Sequence, residues 1–154
     1  MENIHKILVV TRSTQECRKA LHYGISLAKQ VHAELCVLHT FHNVFGLKGW
    51  NLPIPSQMVH EGFQKMQEDT KKEINRMIEK AKKDDLKIEV FLREGKFIDE
   101  VTKVVEEKKI DFIVLASHSE WRLEHFLFGR DNEDVLRKLP CSVLFVKDDP
   151  EPME

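Results

Sequence analysis

The segment Ala116–Asp131, ASHSEWRLEHFLFGRD, follows an apolar run and leads into a short helical pattern. A strand that turns into a helix often cradles phosphate, because free backbone amides and the positive end of the helix meet there. Such a cradle needs small residues, so that the backbone can come close to the ligand. Gly129 is the one glycine in this segment. Arginine is the preferred partner of phosphate and carboxylate groups, and Arg12, Arg122 and Arg130 can converge if the first and fourth strands end side by side. Asp131, Glu133 and Glu124 are near enough in sequence to pair with them instead. Two readings follow. The segment binds an anion through a modified pocket, or it has lost a small-molecule ligand.

Other reactive side chains have plainer explanations. His39, His42 and His118 can gather at one strand edge, and imidazoles bind zinc. No carboxylate stands at a ligand-like spacing, Cys36 lies further down its strand, and no metal site is assigned. Partly exposed histidines at strand ends are the expectation. His118 has no identifiable nucleophile to serve as a base, so no catalytic residue is assigned. Cys141 is expected to be a small buried hydrophobe. Met58, Met66 and Met77 follow helical spacing, which predicts core contact. Trp121 lies in the opening segment, and Trp50 lies in an apolar loop with Val44, Phe45 and Leu47. A loop with that much apolar surface covers something or binds a protein partner.

These residues must be positioned by one small domain. The chain has 154 residues, 42% hydrophobic and 32% charged, which suits a single core. The 24 Lys and Arg against 26 Asp and Glu leave a formal charge of -2. That balance lacks the basic excess of a nucleic-acid-binding face. No run approaches the roughly 20 apolar residues of a membrane helix, and MENIHKILVV reads as a first strand rather than a leader. Three scattered cysteines, Cys17, Cys36 and Cys141, point to free thiols and a cytoplasmic location.

The pattern alternates between strands and helices. KILVV (6–10) is a buried strand, and Ser13 and Glu16 have the spacing of a helix capping box. Cys17, Ala20, Leu21, Gly24, Leu27, Ala28 and Val31 form one apolar stripe. ELCVLHTF (34–41) is the second strand. Residues 42–57 hold two glycines and two prolines and read as a long loop. A helix over 58–84 would be roughly 40 Å long. KIEVFL (87–92) is a third, less buried strand, and Phe97, Ile98, Val101, Val104 and Val105 predict a third helix. Residues 110–116 and 141–146 are strands, with a short helix over 130–139. The order predicts an α/β fold with five parallel strands and helices on both faces. Ligands of such sheets sit at the carboxyl ends of the strands. Here that edge comprises residues 11–14, 39–42, 93–96 and 116–119. A domain over 1–147 and a disordered acidic tail over 148–154 are expected.

KILVVTRSTQECRKAL, AELCVLHTF with its Leu38-His39 step, IDFIVLASHS, and FGRDNEDVLRKLPCSVLFV together resemble the universal stress protein family over nearly the whole chain. The resemblance implies a Rossmann-like, adenine-nucleotide alpha-hydrolase-like fold with strand order 3-2-1-4-5. It also implies ligand positions at Thr11, Arg12, Ser13, Thr40, Ala116, Ser117, Ser119, Gly129, Arg130 and Asp131. ATP-binding members carry G-x2-G-x9-G-[ST] after the fourth strand. Those positions are here Ala116, Ser119, Gly129 and Arg130, so only Gly129 matches. Arg12 stands where an Asp usually contacts the nucleoside, and Ser13 where a glycine is usual. The expectation is a non-enzymatic stress-response or regulatory protein with no cofactor. The alternative is a nucleotide or anion sensor that takes ATP or AMP, with slow hydrolysis. Family members commonly pair their fifth strand with its copy. An apolar edge needs such cover, so a homodimer through Val143, Leu144, Phe145 and Val146 is predicted.

Overall fold

The computed structural model describes residues 3–11, 14–41, 56–117, 137 and 139–147. Their order is β1 (Lys6–Thr11), α1 (Thr14–Val31), β2 (Glu34–Phe41), α2 (Ser56–Lys82), β3 (Ile88–Glu94), α3 (Phe97–Lys108), β4 (Phe112–Ser117) and β5 (Ser142–Lys147). The strands form one sheet in the order β3-β2-β1-β4-β5, and every pairing is parallel. This is the fold class and strand order expected from the sequence. Of the short helix expected over 130–139, only residues 137 and 139 are described, and Arg137 is helical. The tail over 148–154 and the Ser13 cap lie outside the described residues.

Strand side chains alternate between two faces, and each face has its own core. Ile7, Val9, Leu35, Val37, Val114 and Val146 lie under α1 and α2, where Ala20, Leu21, Ala28, Ile74 and Ile78 complete the cluster. Leu8, Val10, Cys36, Leu38, Ile113 and Leu115 lie under α3, which contributes Val101, Val104 and Val105. Cys141 packs against this second cluster and is only partly buried. β3 is half-exposed along its length, as the alternation of Ile88, Val90 and Leu92 predicts, because it closes one edge of the sheet.

Gly24 lets α1 lie directly on β1. A Cβ at this position would stand 2.1 Å from Val9 Cγ2, far inside van der Waals contact. The other end of the stripe differs from expectation. Val31, in the last turn of α1, is 37% exposed.

Several boundaries differ for local reasons. Ser56 and Gln57, expected in the loop 42–57, already belong to α2, and the rest of that loop lies outside the described residues. β4 begins at Phe112 rather than residue 110, since the Ile110 amide donates to the Val105 carbonyl at 3.1 Å and belongs to the end of α3. Left-handed residues follow all three described helices: His32, Asp85 and Lys109, with φ of 57°, 60° and 55°. Glycine usually marks such positions. Its absence removes the sequence signal for these helix ends.

The two methionines at the start of α2 also depart from expectation. Met58 is 64% exposed and Met66 49% exposed, whereas Met77 packs against the core. A helix of 27 residues is roughly 40 Å long, and a seven-residue strand such as β3 only about 23 Å. The burial of Thr70, Ile74, Ile78 and Ala81 belongs to the second half of α2.

Candidate functional site

The carboxyl ends of the strands carry the candidate site. β1 and β2 pair from Lys6↔Glu34 to Thr11↔His39, so Thr11, the last residue of β1, lies beside His39, two residues before the end of β2. Both are buried, as is Thr40. The Thr11 hydroxyl lies 2.7 Å from His39 Nδ1 and 3.5 Å from the Leu38 carbonyl. Burial drives the His39 pKa down from 6.5 to about 4. The imidazole is therefore neutral at pH 7 and can accept the Thr11 hydroxyl proton at Nδ1, leaving its own proton on Nε2. The partly exposed histidine expected at this strand end is instead a buried one. β2 has neighbours on both sides in the sheet, and its flanking side chains are covered on both faces.

Thr40 pairs in register with Arg93 of β3. Arg93 is the described arginine at this edge, and its charge is already engaged. Its Nη2 donates to Glu107 at 3.0 Å, its Nη1 lies 3.6 Å from Glu100, and its guanidinium sits 5.3 Å from the centre of the Phe91 ring. Glu100 is itself buried and also receives Lys103 Nζ at 2.9 Å. The backbone turns beneath this carboxylate at Gly95, with φ of 154°, where an added Cβ would meet Glu100 Oε1 at 3.0 Å. This corner is a closed ion-pair cluster. Glu100 was not singled out in the sequence, because an acidic residue in the first turn of a helix normally serves only the helix dipole.

β4 brings the backbone of Ala116 and Ser117 to the same edge, one step past the Val10↔Leu115 pair. The structure thus gathers Thr11, Thr40, Ala116 and Ser117 along one rim. Arg12, Ser13, Ser119, Arg122, Gly129, Arg130 and Asp131 lie outside the described residues. So do His42, His118, Trp50 and Trp121. Among the described residues, no group of three or more His, Cys, Asp or Glu side chains is placed to hold a metal ion.

A second concavity, of about 510 Å³, opens beside the amino ends of β2 and β3. Its walls carry Lys29, Asp84, Glu34 and Lys87. Lys29 pairs with Asp84, and Lys87 pairs with Glu34 at 2.8 Å. These pairs join α1 to the turn after α2, and β2 to the start of β3. They account for the lowered carboxylate pKa values of Glu34 and Asp84, each set first by its lysine hydrogen bond.

The same fold occurs in known proteins. A solved universal stress protein UspA from Lactobacillus plantarum superposes with a TM-score of 0.72 at 16% identity, covering 95% of this chain and 99% of that one. A universal stress protein crystallised in complex with cAMP gives a TM-score of 0.63 at 18% identity, covering 95% and 98%. At these identities the likeness establishes the fold. In sequence, a universal stress protein of Methanocaldococcus jannaschii is 26% identical over 147 residues, or 95% of this chain and 84% of that protein. The model of the universal stress protein family matches residues 3–147, which include all five strands and both sides of the candidate rim. The chain therefore belongs to the universal stress protein family.

Proposed function

We propose that this protein is a non-enzymatic regulatory member of its family, that it works as a cytoplasmic homodimer, and that it does not take up ATP as the ATP-binding members do. The observation that carries this reading is the sequence from Ala116 to Arg130. Of the four positions that define the phosphate cradle, only Gly129 is kept, and Ala116, Ser119 and Arg130 replace the rest. Side chains at the first two positions add bulk where a triphosphate needs bare backbone. Arg12 also removes the carboxylate that would bond a ribose hydroxyl. No catalytic group is assigned. Among the described residues no helix is long and apolar enough to cross a membrane.

A second reading has a specific basis. One structural neighbour was crystallised in complex with cAMP, and Arg12, Arg122 and Arg130 supply charge suited to a phosphate in this chain. One experiment separates the two. Purified protein is denatured, its supernatant is analysed for nucleotide, and the ligand-free protein is titrated with ATP, AMP and cAMP by calorimetry. The first reading expects no nucleotide and no heat. Micromolar binding of AMP or cAMP establishes the sensor reading, and micromolar ATP binding overturns the lost-site argument.

The homodimer is proposed through β5, which among the described residues pairs only with β4 and so leaves one edge open. Leu144 is 37% exposed and Phe145 38% exposed, while Val146 belongs to the chain's own core. The apolar surface therefore comes from Leu144 and Phe145, and the free edge adds backbone hydrogen bonds. Leu144→Asp with Phe145→Asp is expected to lower the sedimentation coefficient from dimer to monomer while far-UV circular dichroism is kept. A variant that sediments as the wild type removes β5 from the interface.

A further inference from the structure

The first half of α2 carries a surface that neither the strand-end rim nor β5 explains. Met58, Gly62 and Met66 are spaced by four residues, so they lie along one stripe of the helix. All three are exposed. A Cβ added to Gly62 would meet no atom within 4 Å, so the space above it is open. The arrangement is large, absent, large, and it reads the same in both directions about Gly62.

We propose that this stripe is a self-association surface, on which α2 of a second copy lies antiparallel and crosses near Gly62. A two-fold contact requires a self-complementary patch, in which residue i meets residue j and j meets i. The stripe satisfies that rule. With the crossing at Gly62, Met58 of each copy lies against Met66 of the other. The missing side chain lets the helix axes approach closely, and the unbranched methionines adapt to the gap on either side.

Charge complementarity points to the same partner. Glu61 and Lys65 form the adjoining row of the helix, and both are exposed. The same two-fold sets Glu61 of one copy about 3 Å along the helix axis from Lys65 of the other, twice, within reach of the long lysine side chain. Among the described residues neither side chain takes part in an ion pair. A single helix pair buries little area, so the association is weak and concentration-dependent.

Sedimentation velocity on the full chain over a wide concentration range tests the proposal. Gly62→Leu removes a helix-weakening glycine and puts its side chain into open space, so it folds at least as well as the wild type by melting temperature. Its self-association is expected to be roughly tenfold weaker or worse. Lys65→Glu should weaken association by setting like charges together, and Glu61→Lys with Lys65→Glu should restore it. If β5 also forms an interface, the weakened variants stop at the dimer; if it does not, they are monomeric. The proposal is overturned if Gly62→Leu associates as strongly as the wild type, or if the charge swap recovers nothing that Lys65→Glu lost.

Discussion

Replacing Gly24 by alanine is expected to destabilise the protein by about 3 kcal/mol, at the upper end of overpacking costs. Two effects of opposite sign compete. Alanine is favoured over glycine inside a helix by about 1 kcal/mol. Against this, the new methyl would lie 2.1 Å from Val9 Cγ2. Val9 cannot easily yield. It is fully buried, its side chain is branched at Cβ, and its strand is held by β2 on one side and β4 on the other. Relief requires α1 to lift from the sheet, which opens the contacts of Ala20, Leu21 and Ala28 with the same core. Overpacking therefore outweighs propensity. Urea denaturation of the wild type, Gly24→Ala, Val9→Ala and the double variant makes the test specific. The double variant should be less destabilised than the sum of the two single changes, because the smaller residue 9 vacates the space that the new methyl needs. A Gly24→Ala protein as stable as the wild type would show that α1 does not rest on β1 through this contact.

Acid is the second strong lever, and it acts through His39. Its pKa is about 4 in the folded protein against 6.5 for an ordinary histidine. Between those values the unfolded chain binds a proton that the folded chain does not. Stability must then fall as pH falls. The contribution is complete above pH 6.5 and is lost by about pH 4, and a depression of this size corresponds to at most about 3 kcal/mol. Protonation would place a charge where Nδ1 now meets the Thr11 hydroxyl, between two buried strand ends. His39→Gln keeps hydrogen-bonding capacity without titrating. Denaturation curves at pH 7.5, 5.5 and 4 should show the wild type losing more stability than the variant over that interval. Parallel pH dependence in the two proteins would remove His39 as the source.

These two sites differ in how far they can be read before folding. The apolar stripe Ala20, Leu21, Gly24 and Ala28 announces the helix and its inward face, but glycine in that stripe is compatible with many distances to a neighbour. Only the closeness of α1 and β1 turns Gly24 into a requirement. His39 lies near the end of an apolar strand in the sequence, and strand ends of a parallel sheet commonly meet solvent. Its burial follows from β2 being an interior strand with side chains packed on both faces. Glu100 is similar. Its place in the first turn of α3 is visible in the sequence, whereas its role as the acceptor for Arg93 and Lys103 depends on β3 ending beside that turn.

The sequence by itself determined the alternation of strands and helices, and with it the parallel sheet, its strand order and the edge where a ligand would lie. Those features follow from periodicity, turn residues and the family motifs, all of which are local. It also shows Ala116, Ser119 and Arg130 at three of the four positions of the motif carried by ATP-binding members, since that is a matter of residue type. The tertiary structure decided which of two equivalent-looking positions is covered. Met66 and Ile74 belong to one helical pattern, yet Met66 is half-exposed and Ile74 is buried. Periodicity reports the face on which a side chain lies. Whether anything covers a side chain depends on which elements pack there, and Ile74 and Ile78 join the cluster that α1 and the sheet build, whereas Met66 does not.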